Sequence, residues 1–292
     1  MQTAMTENHV KTWPAPAKLN LFLHVIGQRN DGYHNLQTIF QLLDWGDDVC
    51  VEVLDGPQIS RPRAAYAVAE ADDLAVRAAL LLQAETSGRQ GARIEVIKRI
   101  PTGAGLGGGS SDAATVLMVL NKLWGCNLEQ NELASIGLRL GADLPVFIRG
   151  CTALGTGIGD ELYPVELGER HYLLIMPEFP ISTRDVFTDP DLPRNSEKLS
   201  IGQALQGLGK NDCEAVVIKR FPAIASILEE LRDLGDARMT GTGSAIFIAM
   251  SDEKSAMSAA EQIKCRYNVR AVCGVDRSVL HQLLDSDGIR GQ

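Results

Sequence analysis

The chain has 292 residues, 45% of them hydrophobic and 22% charged; this composition excludes wholesale disorder, and the length suggests two domains. A net charge of −9 argues against nucleic-acid binding, which needs a basic footprint, and no run of about 18 apolar residues is present to cross a membrane. Six cysteines, at 50, 126, 151, 213, 265 and 273, show no Cys-x-x-Cys spacing, so reduced thiols in a cytoplasmic protein are expected rather than a zinc or disulfide framework.

The polar stretch Met1–Val10 has no apolar core and does not read as a secretory signal. Ala17–Ile26 alternates, with Leu19, Leu21, Leu23 and Val25 on one side and Lys18, Asn20, Phe22 and His24 on the other, which predicts a half-buried strand. Arg29-Asn-Asp-Gly32 is a turn signal. Strands are expected at Leu36–Leu43, Val49–Val53 and Arg93–Ile100, with a helix at Asp73–Glu85 between the last two. A glycine-rich segment, Pro101–Asp112, precedes Ala113, Val116, Leu117 and Leu120 at helical spacing, ending before Gly125. A second helix, about Glu129–Leu140, stops at Gly141. Cys151–Leu154 and Glu161–Val165 read as a hairpin. Pro177–Pro193 holds four prolines and no clear period, so a loop is expected. Helices follow at Cys213–Lys219, Ala223–Leu234 and Ser255–Cys265, and strands at Ser244–Met250 and Val269–Val275. The fold class is α+β, with a division near residue 166.

The twelve residues Pro101–Asp112 contain five of the 28 glycines. Glycine costs backbone entropy, so such clustering needs a cause. Close approach of main-chain N–H groups to phosphate oxygens, at the positive end of a following helix, supplies one. Ser110 and Ser111 are candidates to cap that helix and to offer hydroxyls to phosphate or a magnesium shell. Gly103, Gly105 and Gly108 satisfy the dinucleotide pattern, but Asn127–Glu132 starts a helix where an acidic strand end is needed. Gly109 stands where a Walker A loop needs lysine. The protein-kinase motifs His-Arg-Asp and Asp-Phe-Gly do not occur.

On residue type alone Asp143, between the Gly141 stop and Leu144-Pro145, is a helix N-cap or a base. Lys18, on a strand with an aliphatic far side, fits a solvated edge. Asn20 projects from the same face, about 6.6 Å along the strand. The Tyr33-His34 pair means little by itself. On residue type alone Phe187 reads about equally as core packing or a ligand contact, and Thr183 as loop capping or a ligand contact. Thr240-Gly-Thr-Gly243 reads as a hairpin bend before a strand.

At its glycine loop the chain resembles the GHMP family of small-molecule kinases. The resemblance extends over Pro14-Ala-Pro-Ala-Lys-Leu-Asn-Leu21, Asp31-Gly-Tyr-His34, Gly107–Gly109, Leu140-Gly-Ala-Asp-Leu-Pro-Val-Phe147 and Met239-Thr-Gly-Thr-Gly-Ser-Ala245, in that order. It implies two domains: a ribosomal-protein-S5-like α/β domain over residues 1–166 and a ferredoxin-like α+β domain over 167–292. It implies transfer of the ATP γ-phosphoryl group to a tertiary hydroxyl of a cytidine-diphosphate-linked alcohol, with Mg2+. By resemblance Asp143 is the base, and Lys18 supports its charge and the developing alkoxide. Pro101, Gly103, Gly105, Leu106, Gly107, Gly108, Gly109, Ser110 and Ser111 form the ATP loop. Asn20 positions substrate, Tyr33 and Phe187 stack on cytosine and His34 hydrogen-bonds its edge. Thr183 lies near the substrate, and Gly241, Thr242 and Gly243 abut its diphosphate from the second domain. Asp112 stands where relatives often have Asn, and Gly155-Thr156 where they have Ala-Glu; the magnesium ligands and the oligomeric state stay open. The rivals are another alcohol kinase of the family, such as homoserine kinase, and a nucleotide-binding regulator without catalysis.

Overall fold

The computed structural model describes residues 11–61 and 69–289; the polar stretch Met1–Val10 lies outside them. Among the described residues the strands are β1 (Thr12–Gln28), β2 (His34–Leu54), β3 (Ile59–Ser60), β4 (Gly91–Ile97), β5 (Ala153–Thr156), β6 (Glu161–Pro164), β7 (Arg170–Ile175), β8 (Ala237–Met239), β9 (Ile246–Met250) and β10 (Val269–Val275). The helices are α1 (Leu74–Thr86), α2 (Gly108–Leu123), α3 (Gln130–Leu138), α4 (Leu144–Arg149), α5 (Thr183–Phe187), α6 (Ile201–Leu205), α7 (Asp212–Arg220), α8 (Pro222–Glu230), α9 (Glu253–Ile263) and α10 (Val279–Ile289). None is long and apolar enough to cross a membrane. The mixed α+β class matches the expectation.

One sheet runs through both halves in the order β3-β4-β2-β10-β7-β9-β8, with β1 and β5 also on β2. The two strands expected at 36–43 and 49–53 are one 21-residue strand. The sequence break at Asp44–Asp48 is a crossing point instead. A Cβ at Gly46 would lie 2.0 Å from the Ala15 carbonyl oxygen, so glycine lets β1 and β2 approach there. Register shifts in β1 between Pro16 and Lys18 and between Asn20 and Leu23 let both strands bend. The half-buried reading of 17–26 fails: Lys18, Leu19, Asn20, Phe22, His24 and Val25 are all buried. The second bulge breaks the alternation; the glycine loop covers Lys18, Thr240 covers Asn20, and the 197–210 segment covers Phe22 and His24.

Three cores position the site. Helices α1–α4 pack their apolar faces on β1, β2 and β4. Helices α7–α9 pack on β7–β9. Between the halves Ala17, Leu19, Leu43, Tyr172, Leu174, Phe247 and Val272 enclose Leu106 from the glycine loop. Burying one such leucine stabilises by roughly 1.5–3 kcal/mol, so the loop is anchored in the junction.

The expected loop at 177–193 holds α5. Ser182 caps it by accepting from Asp185 N–H, and the prolines stand outside it. Helix α2 begins at Gly108, so Gly108 and Gly109 lie in its first turn and the other three glycines precede it. Strands β3, β7 and β8 and helices α6 and α10 were not expected; α4, whose start alone was anticipated at Asp143, is a six-residue, almost wholly buried run with Pro145 at its start and Gly150 in the left-handed region at its end, too short for a periodicity to show.

Candidate active site

A cleft of about 1050 Å³ opens between the glycine loop, β1, α5 and the 241–242 bend. One side of it is the N-terminus of α2. Gly107 occupies the cap position with φ +74 and offers no side chain. The N–H groups of the first turn therefore stay available, while Ser111 N–H already bonds to Gly107 C=O at 2.9 Å. Ser110 and Ser111 do not cap: they lie inside the helix, and the Ser111 hydroxyl is buried without a partner.

The packing of the protein itself requires glycine at positions 105 and 107. A Cβ at Gly107 would stand 2.7 Å from the Phe147 ring, and one at Gly105 2.6 Å from Thr240 C=O. The loop is also bonded to the other half. Ile181 N–H donates to Gly103 C=O at 3.0 Å and Ala245 N–H to Ala104 C=O at 3.0 Å.

Lys18 is 3% exposed. Its Nζ donates to Asn20 Oδ1 and, at 2.9 Å, to Gly105 C=O, and lies 3.7 Å from Asp143 Oδ2. Burial holds its pKa below the ordinary lysine value, against the opposing pull of Asp143. Asp143 occupies the residue before α4, yet its side chain caps nothing there. Buried α4 fixes the backbone and leaves the carboxylate facing Lys18. Asn20 Nδ2 donates to Thr38 Oγ1 at 2.9 Å, and Asn20 N–H to Thr240 Oγ1 at 2.8 Å. The amide is thereby held with its oxygen toward Lys18.

At the other end Tyr33 stands 58% exposed on the rim, and His34 is buried with its ring 5.4 Å from that of Phe187. Thr183 and Thr242 share a hydroxyl hydrogen bond of 3.0 Å across the cleft.

Lys18, Asn20, Tyr33, His34, Pro101, Gly103, Gly105, Gly107, Gly108, Gly109, Ser110, Asp143, Thr183, Phe187, Gly241 and Thr242 line this one cleft. Leu106, Ser111 and Gly243 do not: Leu106 and Ser111 are packed into the protein interior, and Gly243 lies under the bend against Met239 and Ile181.

Sequence reading missed Lys98, which lines the cleft and bonds to Asp47 and, at 2.8 Å, to Asp112 Oδ2. Burial chiefly, opposed by Lys98 and assisted by Asp47, pushes the Asp112 pKa up to about 7. It also missed Arg194, whose Nε donates to His34 Nε2 at 3.2 Å. A lysine three residues before the loop was a usable signal; the lone Arg194 carried none. No group of three or more His, Cys, Asp or Glu side chains able to hold a metal occurs among the described residues.

This geometry can hold an anionic phosphate chain at a helix start and place a carboxylate and an ammonium beside an acceptor group. The comparisons agree. The GHMP kinases N terminal domain model matches residues 73–151 and the GHMP kinases C terminal model residues 191–269. The chain belongs to the GHMP kinase family, the ATP-dependent small-molecule kinases. Within it, the chain is 48% identical over 283 residues to a 4-diphosphocytidyl-2-C-methyl-D-erythritol kinase of Halorhodospira halophila, covering 96% of this chain and 98% of the relative. A relative of the same name from Shewanella pealeana is 48% identical over 253 residues, 86% of this chain and 89% of its own. A crystal structure of 4-(cytidine 5'-diphospho)-2C-methyl-D-erythritol kinase superposes with a TM-score of 0.80 at 32% identity, covering 91% of this chain and 100% of its own.

Proposed function

We propose that the protein transfers the γ-phosphoryl group of ATP to the 2-hydroxyl of 4-diphosphocytidyl-2-C-methyl-D-erythritol, a step of non-mevalonate isoprenoid precursor synthesis, in the cytoplasm. The observation that carries this reading is the buried Lys18 ammonium 3.7 Å from the Asp143 carboxylate, in the same cleft as the open helix start and the His34–Phe187 pair. The names of the relatives supply the substrate.

In this mechanism the amides of Gly108, Gly109 and Ser110 hold the triphosphate against the N-terminus of α2. Asp143 accepts the hydroxyl proton as the new O–P bond forms and the bond to the ADP oxygen breaks. The Lys18 charge stabilises the oxygen as its proton leaves. Because Lys18 is bonded to Asn20 and Gly105, it is oriented before substrate arrives. Tyr33 and Phe187 flank the cytosine ring and His34 reads its edge. Thr183, Gly241 and Thr242 lie along the diphosphate. The Ser110 hydroxyl, a hard oxygen donor in the first turn of α2, suits the Mg2+ that travels with ATP. Held there, Mg2+ would neutralise charge on the triphosphate.

Asp143→Ala tests the reading. Loss of a general base lowers kcat by roughly 10²- to 10⁴-fold, while calorimetry shows ATP and the cytidyl alcohol still bound. Normal turnover in that variant removes Asp143 from the chemistry. Competition by CDP but not by homoserine separates this reading from its nearest rival.

A further inference from the structure

The His34 ring lines the cleft and is held from behind by Arg194, whose Nε donates to His34 Nε2 at 3.2 Å. A guanidinium has N–H donors and no acceptor. Nε2 must therefore present its lone pair to Arg194, and the neutral ring carries its proton on Nδ1. Nδ1 has no hydrogen-bond partner among the described residues and is not among the side-chain atoms sealed from solvent. Burial first, and the Arg194 charge second, hold the ring below its ordinary pKa and so keep it neutral. Lys18, Asp31, Asp143 and Arg184 line the same cleft, but Arg194 is the charged group that acts on the imidazole.

Arg194 is itself clamped. Its Nη1 donates to Leu192 C=O at 3.0 Å and Pro190 C=O at 3.4 Å. Its Nη2 donates to Asp189 C=O at 2.7 Å and Phe187 C=O at 3.4 Å. Those carbonyls belong to the segment that carries Phe187. One guanidinium thus fixes both the aromatic wall and the proton on the histidine beside it.

We propose that Arg194 is a specificity-determining positioning residue: by occupying Nε2 it makes His34 a one-way donor, through Nδ1–H, toward the nucleobase. This inference rests on the cytidine reading above. Cytosine presents acceptors at N3 and O2, whereas uracil carries a proton on N3. A histidine free to change tautomer donates to the first and accepts from the second. With Nε2 occupied it can do only the former, so uracil meets donor with donor and both groups stay unpaired. An unpaired buried donor corresponds to roughly a tenfold to hundredfold preference for CDP over UDP.

The test uses the full-length protein. Nitrogen-15 NMR of histidine-labelled wild type shows His34 as the Nδ1–H form, with no ordinary histidine titration across neutral pH; an Nε2–H ring or an ordinary titration overturns the proposal without any substitution. In competition assays against the cytidyl alcohol, Arg194→Met brings the CDP-to-UDP preference toward parity. It also raises KM about tenfold with kcat nearly unchanged, and introduces a pH dependence of CDP affinity near the ordinary histidine pKa. In a His34→Ala background the same change has no further effect on the preference; a further effect there shows that Arg194 sets the preference by a route that bypasses His34 and refutes the tautomer argument. If CDP fails to compete with wild type, the cytidine reading falls. If CDP competes and Arg194→Met keeps the preference, this inference falls by itself.

Discussion

Asp112→Asn isolates a charge buried under the glycine loop. Lys98 bridges two carboxylates there, Asp47 and Asp112. Asp47 also accepts the N–H groups of Arg99 and, at 2.7 Å, Ile100. Asp112 has Lys98 on one oxygen and nothing on the other, which is buried. Its pKa therefore rises from 3.8 to about 7. Between those values the folded protein holds a proton that the unfolded chain has released. Stability consequently falls as pH rises through this window and levels off above about 7. At about 1.4 kcal/mol per pKa unit, the wild type should lose about 3 kcal/mol from this group between about pH 5 and pH 8. Asparagine keeps an oxygen for Lys98 and carries no charge. Urea unfolding of both proteins at the two pH values should show that difference in slope, with the variant more stable at the higher pH. Parallel pH dependences in the two proteins would refute the argument.

Lys18→Met removes the ammonium beside Asp143 and should lower kcat roughly 10²- to 10³-fold. Wild-type kcat/KM should have an alkaline limb below the ordinary lysine pKa, because burial lowers that of Lys18 and activity needs it charged; steady-state rates against pH read both effects, and no limb below 10.5 contradicts the assignment. Gly107→Ala drives a Cβ against the Phe147 ring at a backbone angle of φ +74, so thermal unfolding should register a loss of about 1–3 kcal/mol; an unchanged melting temperature would contradict it. Phe187→Ala should raise KM for the cytidyl alcohol roughly 5- to 150-fold, the equivalent of about 1–3 kcal/mol of stacking, and leave kcat nearly intact; an equal loss in kcat would assign the ring another role.

Much of the cleft was legible because its residues sit in dense local patterns. Five glycines in twelve positions mark a loop, and a lysine amid aliphatic alternation marks β1. What stayed hidden depends on long-range pairing. Nothing local joins Asp47, Lys98 and Asp112, which meet because β4 pairs with β2 and α2 starts above them. Arg194 and His34 are 160 positions apart. The continuity of β2 was masked by Asp44–Asp48, a polar break that the crossing with β1 absorbs. Even the glycines were half read: their openness to phosphate is visible in composition, whereas the ring of Phe147 and the carbonyl of Thr240 that forbid a Cβ are visible only in three dimensions.

The bonds that tie the glycine loop to Ile181 and Ala245, and Asn20 to Thr240, run directly between opposite walls of the cleft. β10 adds a third seam by pairing with both β2 and β7. A swing of one half on the other would have to break these bonds. Tyr33 and α5 stand exposed at the lip of the cleft whereas Lys18 is buried at its floor, so the two ends of the cleft are built from separate parts of the chain. Mutational drift can rewrite the lip for a new guest without disturbing the floor.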